Sequence, residues 1–255
     1  MKHIDIFTGI GGWPLGMSWA FEDKHEPLVF CEQDKFCQKV LKKHWPNVPI
    51  IDDVFNFNAR DYEKIDILTC SPPCQPYSQA GRRKGSKDDR ALWPRVVKII
   101  QDFPQPPQWV CIENVRGLLS IEQGMAIENM LSDLESVGYW VQTFLIPACA
   151  VNAPHRRDRV WIVGHSRSIK SVAPNSRHQR LQGGERTGTH EKRQAAYGPA
   201  PERNSAWDEP WIEAATRFCG IHDGVPDRAH RLRALGNAVV PQIPYIIGKY
   251  IKDVS

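Results

Sequence analysis

Apolar positions along the 255 residues fall into two patterns, short unbroken runs and longer stretches at helical spacing. The runs HIDIF (3–7), PLVFCE (27–32), VPIID (48–52), IDILTC (65–70) and WVCIENV (109–115) have the length and apolar character of buried strands. YWVQTFLI (139–146) and RVWIVGHS (159–166) add two more. GIGGWPLGMSWAF reads as a turn into a helix, and DKFCQKVLKKHW (34–45) as a helix capped by Asp34. ALWPRVVKIIQDF (91–103) fits a helix with Pro94 in its first turn. In EQGMAIENMLSDLESVG (122–138), Met125, Ile127, Met130, Leu131 and Leu134 form an apolar stripe that Gly138 ends. RLRALGNAVVPQIPYIIGKYI predicts one last helix returning to the core. Strand and helix alternate with short connections, which predicts an α/β fold: a mostly parallel sheet with helices on both faces.

The pattern stops after residue 166. Residues 166–205 have few aliphatics and carry eight Lys and Arg against three acids, about +5. The whole chain has a net charge of +4, so its basic excess sits here. Such a segment buries little apolar surface by itself. It reads as a solvated linker or as an arm that a polyanion orders. The expected division is a catalytic and cofactor-binding domain over 1–166, a reduced recognition region over 167–225, and a C-terminal segment, 226–255, that returns to the first domain.

Composition narrows the class. At 41% hydrophobic and 24% charged the chain is ordinary globular material. No run reaches the length of a membrane span, and MKHIDIFTGIGG has no signal-peptide pattern, so a cytoplasmic protein is expected. Seven cysteines include no Cys-x-x-Cys pair, so no metal is expected and all but Cys74 are expected to be buried thiols.

Four constellations carry candidate chemistry. DIFTGIGG ends the first strand, where glycines let a ligand approach the backbone and open a helix. Glu32 at the end of the second strand suits a ribose diol, and Asp53 after the third suits an adenine amino group. G-x-G-G is not the dinucleotide spacing, so a nucleoside without pyrophosphate fits better, S-adenosylmethionine foremost. SPPCQPYSQAG (71–81) frames Cys74 with prolines, which lock φ and hold a nucleophile rigid in a polar loop. Glu113 interrupts an apolar strand, where desolvation raises a carboxyl's pKa. Arg157 and Arg159 alternate before a strand, so both are expected to point to one face.

In their order these motifs resemble the DNA cytosine-5 methyltransferase family. The shared signatures are F-x-G-x-G-G (7–12), Glu32, Pro-Cys-Gln (73–75), Glu-Asn-Val (113–115), Arg-x-Arg (157–159) and Gly-Asn-x-Val-Val-Pro (236–241). The resemblance implies a Rossmann-like S-adenosylmethionine-dependent fold with a small target-recognition lobe. It implies that Cys74 attacks cytosine C6, that Glu113 protonates or hydrogen-bonds N3 and the exocyclic amine, and that Arg159 holds O2 with Arg157 in support. Phe7, Gly9, Gly11, Gly12, Glu32, Asp53, Pro73 and Asn237 map onto cofactor contacts, S-adenosylhomocysteine being the product. Residues 81–93 would close on the DNA, with Gln75, Ser78, Arg82, Arg83 and Arg90 as contacts. Double-stranded DNA is the implied partner, its cytosine flipped out of the stack, and a monomer is expected.

The sequence departs from the family at His155, where Gln is usual, and at Ala238, where Ser is common. Only residues 166–225 remain for target recognition, as in compact phage-borne members, so short or relaxed specificity is expected. An RNA cytosine-5 methyltransferase of the same fold and a non-catalytic DNA-binding relative are the alternatives.

Overall fold

Every strand expected from the apolar runs forms in the computed structural model, which describes residues 1–73, 92–167 and 228–255. The strands are β1 (Lys2–Ile6), β2 (Glu26–Cys31), β3 (Ile50–Ile51), β4 (Ile67–Cys70), β5 (Trp109–Val115), β6 (Tyr139–Pro147) and β7 (Asp158–Ser166). The helices are α1 (Gly12–Phe21), α2 (Lys35–His44), α3 (Leu92–Asp102), α4 (Met125–Ser136), α5 (Arg228–Asn237) and α6 (Gln242–Val254). One sheet runs in the order β3-β2-β1-β4-β5-β7-β6. β1 to β5 are parallel where they pair, and β7 is antiparallel to both its neighbours.

Each face of the sheet carries its own core, because strand side chains alternate. Ile4, Ile6, Leu68, Val110 and Ile112 pack on one face with Val96 and Ile99 of α3 and Ile127 and Met130 of α4. Ile67, Trp109 and Trp161 pack on the other with Trp13 and Met17 of α1 and Ile243 and Ile247 of α6. β1 is less apolar than its run implies. His3 and Asp5 are fully buried, and the Thr69 hydroxyl donates to Asp5 Oδ1 at 2.5 Å while lying 2.7 Å from His3 Nε2.

Helix boundaries depart from the apolar pattern in two places. α4 begins at Met125, not 122, because Glu122, Gln123 and Gly124 are all left-handed (φ 49°, 58° and 94°). Met125 is exposed, so it leaves the expected stripe. The C-terminal segment is two helices, not one. Pro241 has no N–H to continue a helix, and the chain breaks over 238–241 before α6 starts.

α6 lies tightly on α1. A Cβ at Gly12 would run into the Val239 carbonyl oxygen, and one at Gly16 into that of Pro241. We expect Gly12→Ala to lower the unfolding free energy by about 1–3 kcal/mol, the usual cost of overpacking. Urea denaturation measures it, and an unchanged midpoint would contradict the close approach.

Candidate active site

Parallel pairing brings the carboxyl ends of β1, β2, β4 and β5 to one edge. β2 lies on one side of β1 and β4 on the other, so the order of strands reverses there, which is where open α/β sheets bind ligands. A cleft of about 420 Å³ opens at this edge.

Phe7, Gly9, Glu32, Asp53, Pro73 and Asn237 line it, together with Glu113 and Arg159. Phe7 and Gly9 are both left-handed (φ 57° and 58°), which turns the chain back across the strand ends. Glycine takes that conformation freely, whereas a phenylalanine there is strained. The Gly9 N–H donates to Glu32 Oε2 at 2.7 Å, and the Asp34 N–H to Oε1 at 2.8 Å. Glu32 thus ties the chain after β1 to the end of β2. Burial raises its carboxyl above the ordinary range, with these two N–H groups pulling it back. Asp53 caps the short turn Val54–Asn56, accepting from the Phe55 N–H at 3.0 Å.

Gly11 and Gly12 do not line the cleft. Their missing side chains serve packing: a Cβ at Gly11 would sit 2.6 Å from the Trp45 ring, and Gly12 abuts Val239. The motif is therefore partly a packing motif, which spacing alone does not reveal.

Opposite, Glu113 and Arg159 meet through strand register. β5 pairs with β7 so that Val115 faces Arg159 and Glu113 faces Trp161. Glu113 and Arg159 are therefore diagonal neighbours on one face. Arg159 Nε lies 2.9 Å from Glu113 Oε1, both side chains being largely buried. Burial raises the Glu113 carboxyl, while the cations of Arg159 and Arg157 act in the other direction.

Arg157 corrects the expectation that both arginines share a face. It precedes β7 and is left-handed (φ 35°), so strand alternation does not apply to it. Its Nη1 donates to the Gly236 carbonyl at 2.6 Å and its Nη2 to the Ala238 carbonyl at 2.7 Å.

Cys31, Cys37, Cys70 and Cys111 are buried free thiols, and Cys149 is exposed, against expectation. Cys31 and Cys37 line the cleft, yet burial pushes both thiols up to about 12. Neither offers a thiolate near neutral pH. Cys74, Gln75, Ser78, Arg82, Arg83 and Arg90 lie outside the described residues, as does most of the 167–225 region. The described chain delivers Ser71, Pro72 and Pro73 to the cleft, three residues or fewer before Cys74.

Residues 1–225 match the family of C-5 cytosine-specific DNA methylases. The chain belongs to this family. It is 36% identical over 166 residues to the type II methyltransferase M.DsaV of Dactylococcopsis salina, covering 64% of this chain and 45% of that one. It is 30% identical over 224 residues to M.NgoBI of Neisseria gonorrhoeae, covering 82% and 68%. The chain spans about half the length of the first of these relatives. Its fold resembles that of the Schizosaccharomyces pombe Dnmt2 methyltransferase, with a TM-score of 0.68 over 100% of this chain and 99% of that one, at 15% identity.

In this C-5 methylase chain two supporting side chains, Asn114 and Trp13, hold the proline loop. Asn114 donates from Nδ2 to the Pro72 carbonyl at 3.3 Å and accepts the Val115 N–H at 2.8 Å. Trp13 Nε1 donates to Ser71 Oγ at 3.1 Å. Together they fix the start of the proline loop to β5 and to α1. Glu-Asn-Val marked Asn114 in the sequence, but nothing local marked Trp13.

Proposed function

We propose that this protein is an S-adenosylmethionine-dependent DNA cytosine-5 methyltransferase. One observation carries the reading: Glu113 and Arg159, 2.9 Å apart, stand at the strand edge that also receives the loop leading to Cys74. An acid beside a planar cation matches the N3 and O2 edge of cytosine. A small-molecule methyltransferase has no use for that pair.

The cleft fits the methyl donor. Glu32, Asp34, Asp52 and Asp53 crowd one end of it. Such a wall disfavours a pyrophosphate and favours a cationic sulfonium nucleoside. Glu32 would accept the ribose hydroxyls and Asp53 the adenine amino group, with Phe7 and Pro73 against the donor and Asn237 from the far wall. Gly9 holds Glu32 in place. When bound, S-adenosylmethionine supplies an electrophilic methyl group.

The chain's own residues do the rest. Cytosine C5 is a weak nucleophile. The Cys74 thiolate adds to C6, forming an S–C bond and pushing the ring electrons toward C5 and N3. Glu113 places its proton at N3, and Arg159 holds O2, so charge leaves the ring. Once C5 carries the methyl, its proton passes to water, the S–C6 bond breaks to release the thiolate, and N3 returns its proton to Glu113, which restores the aromatic ring. A nucleophile held at a fixed attack angle gains most from proximity, which is the use the proline-framed motif suggests.

The partner is double-stranded DNA with the base flipped out, at a few kcal/mol. Gln75, Ser78, Arg82, Arg83 and Arg90 contact the DNA, residues 167–225 serve as a reduced recognition region with short or relaxed specificity, and the basic stretch 166–205 gives salt-sensitive phosphate binding. The protein acts as a monomer in the cytoplasm of a bacterial host, as a phage- or prophage-type enzyme of DNA modification. Among the described residues no helix is long and apolar enough to cross a membrane.

Tritiated methyl incorporation tests the reading, with duplex DNA and tRNA in competition. We expect label in DNA. Label in tRNA alone would favour the RNA enzyme, and none in either would favour a binding protein. Methylation confined to one site of about six base pairs or more would overturn the relaxed specificity, which rests on the short recognition region.

A further inference from the structure

Arg157 stands where the family motif places a site arginine, yet it does not line the cleft and acts on Glu113 only through its charge. Its planar fork spans two carbonyls, Gly236 at 2.6 Å and Ala238 at 2.7 Å. Gly236 stands in the last turn of α5, and Ala238 opens the break before α6. The last carbonyls of a helix have no partner within it and carry the negative end of its dipole. A cation donating to them acts as a C-cap. Here the cap comes from 79 and 81 residues away in sequence.

The two capped carbonyls flank Asn237, and Asn237, Ala238 and Val239 all line the cleft. Two residues from Arg157, Arg159 lies against Glu113. One three-residue segment therefore fastens the far wall of the cleft with its first arginine and the acid with its second.

We infer that Arg157 is a positioning residue. It caps α5 in trans and sets the wall that receives the methyl donor, instead of touching the base or the DNA. This rests on the methyltransferase reading for the identity of the ligand. Guanidinium geometry is essential, because a single ammonium cannot lie flat between two carbonyls as the fork does.

S-adenosylhomocysteine binding without DNA, measured by calorimetry, tests the inference. Arg157→Ala should weaken it by roughly 10- to 100-fold, the scale of a lost charge-assisted hydrogen bond or two. Arg157→Lys keeps the charge and should recover only part of the loss. The KM for DNA should stay within about twofold of wild type, since only groups that touch a substrate move its uniform binding. Unchanged S-adenosylhomocysteine affinity with a raised DNA KM would overturn the inference and return Arg157 to the substrate side. Hydrogen exchange gives a readout that needs no ligand and can be read in the lysine variant if the alanine variant folds poorly. Amides of residues 236–239 should exchange faster in either variant than in wild type, and unchanged exchange would overturn the cap. A wild type that binds no S-adenosylhomocysteine would instead refute the methyltransferase reading, while exchange would still decide the cap.

Discussion

Cys74→Ser is expected to abolish methyl transfer to DNA, by about 10³-fold or more in single-turnover rate, as removal of a covalent nucleophile does. Oxygen is a poor substitute here because a serine hydroxyl stays protonated, whereas a cysteine near neutral pH has a measurable thiolate fraction. The other cleft thiols cannot replace it. Cys31 and Cys37 are both pushed to about 12 by burial, and Cys70 and Cys111 are raised by burial too. S-adenosylhomocysteine affinity should hardly change, since the proposed donor contacts are Glu32, Asp53 and the C-terminal wall. A second assay isolates the covalent step. DNA containing 5-fluorocytosine has no removable C5 proton, so the wild type should form a denaturation-resistant adduct and Cys74→Ser should not. Retention of activity above about a hundredth of wild type in the serine variant would remove the basis for nucleophilic catalysis.

Glu113→Gln is expected to lower the methyl-transfer rate by about 10²–10⁴-fold, the range of a positioned general acid. The amide keeps the shape and can still accept a hydrogen bond from Arg159, but it has no proton to give to N3. It also leaves Arg159 without its counter-charge in a largely buried setting, so a loss of stability should accompany the loss of rate. The pH dependence is the sharper sign. Burial raises the Glu113 carboxyl above the ordinary range, against the pull of Arg159 and Arg157. A raised pKa keeps the acid protonated to higher pH than an exposed glutamate, and its contribution is lost as pH rises through the folded value. The wild-type rate should therefore fall on the alkaline side, and that limb should be missing in Glu113→Gln. If the limb survives the substitution, another group supplies the proton.

Much of the site was legible because its chemistry is local. Cys74 announces itself through Pro72, Pro73 and Pro76, and Glu113 through the apolar run it interrupts. Asp34 was legible as a cap, and its Oδ1 does accept from the Phe36 and Cys37 N–H groups at 2.8 and 3.2 Å. Strand alternation failed at Arg157, because a left-handed residue lies outside any strand. Periodicity failed at the start of α4, because side-chain type does not reveal the three left-handed residues that delay the helix to Met125. A glycine motif could not say which glycine meets a ligand and which meets a neighbouring segment, since the residue type is the same for both needs.

The amino-acid order alone specified the seven strands and the family and nominated the proposed reacting groups, because each of those is written in runs or motifs a few residues long. Tertiary structure decided who holds whom. Trp13 finds Ser71 across 58 residues, Arg157 finds Ala238 across 81, and Glu113 meets Arg159 only because β7 runs antiparallel to β5. Those pairings depend on how segments stack and slide past one another, and no window of sequence contains both partners at once.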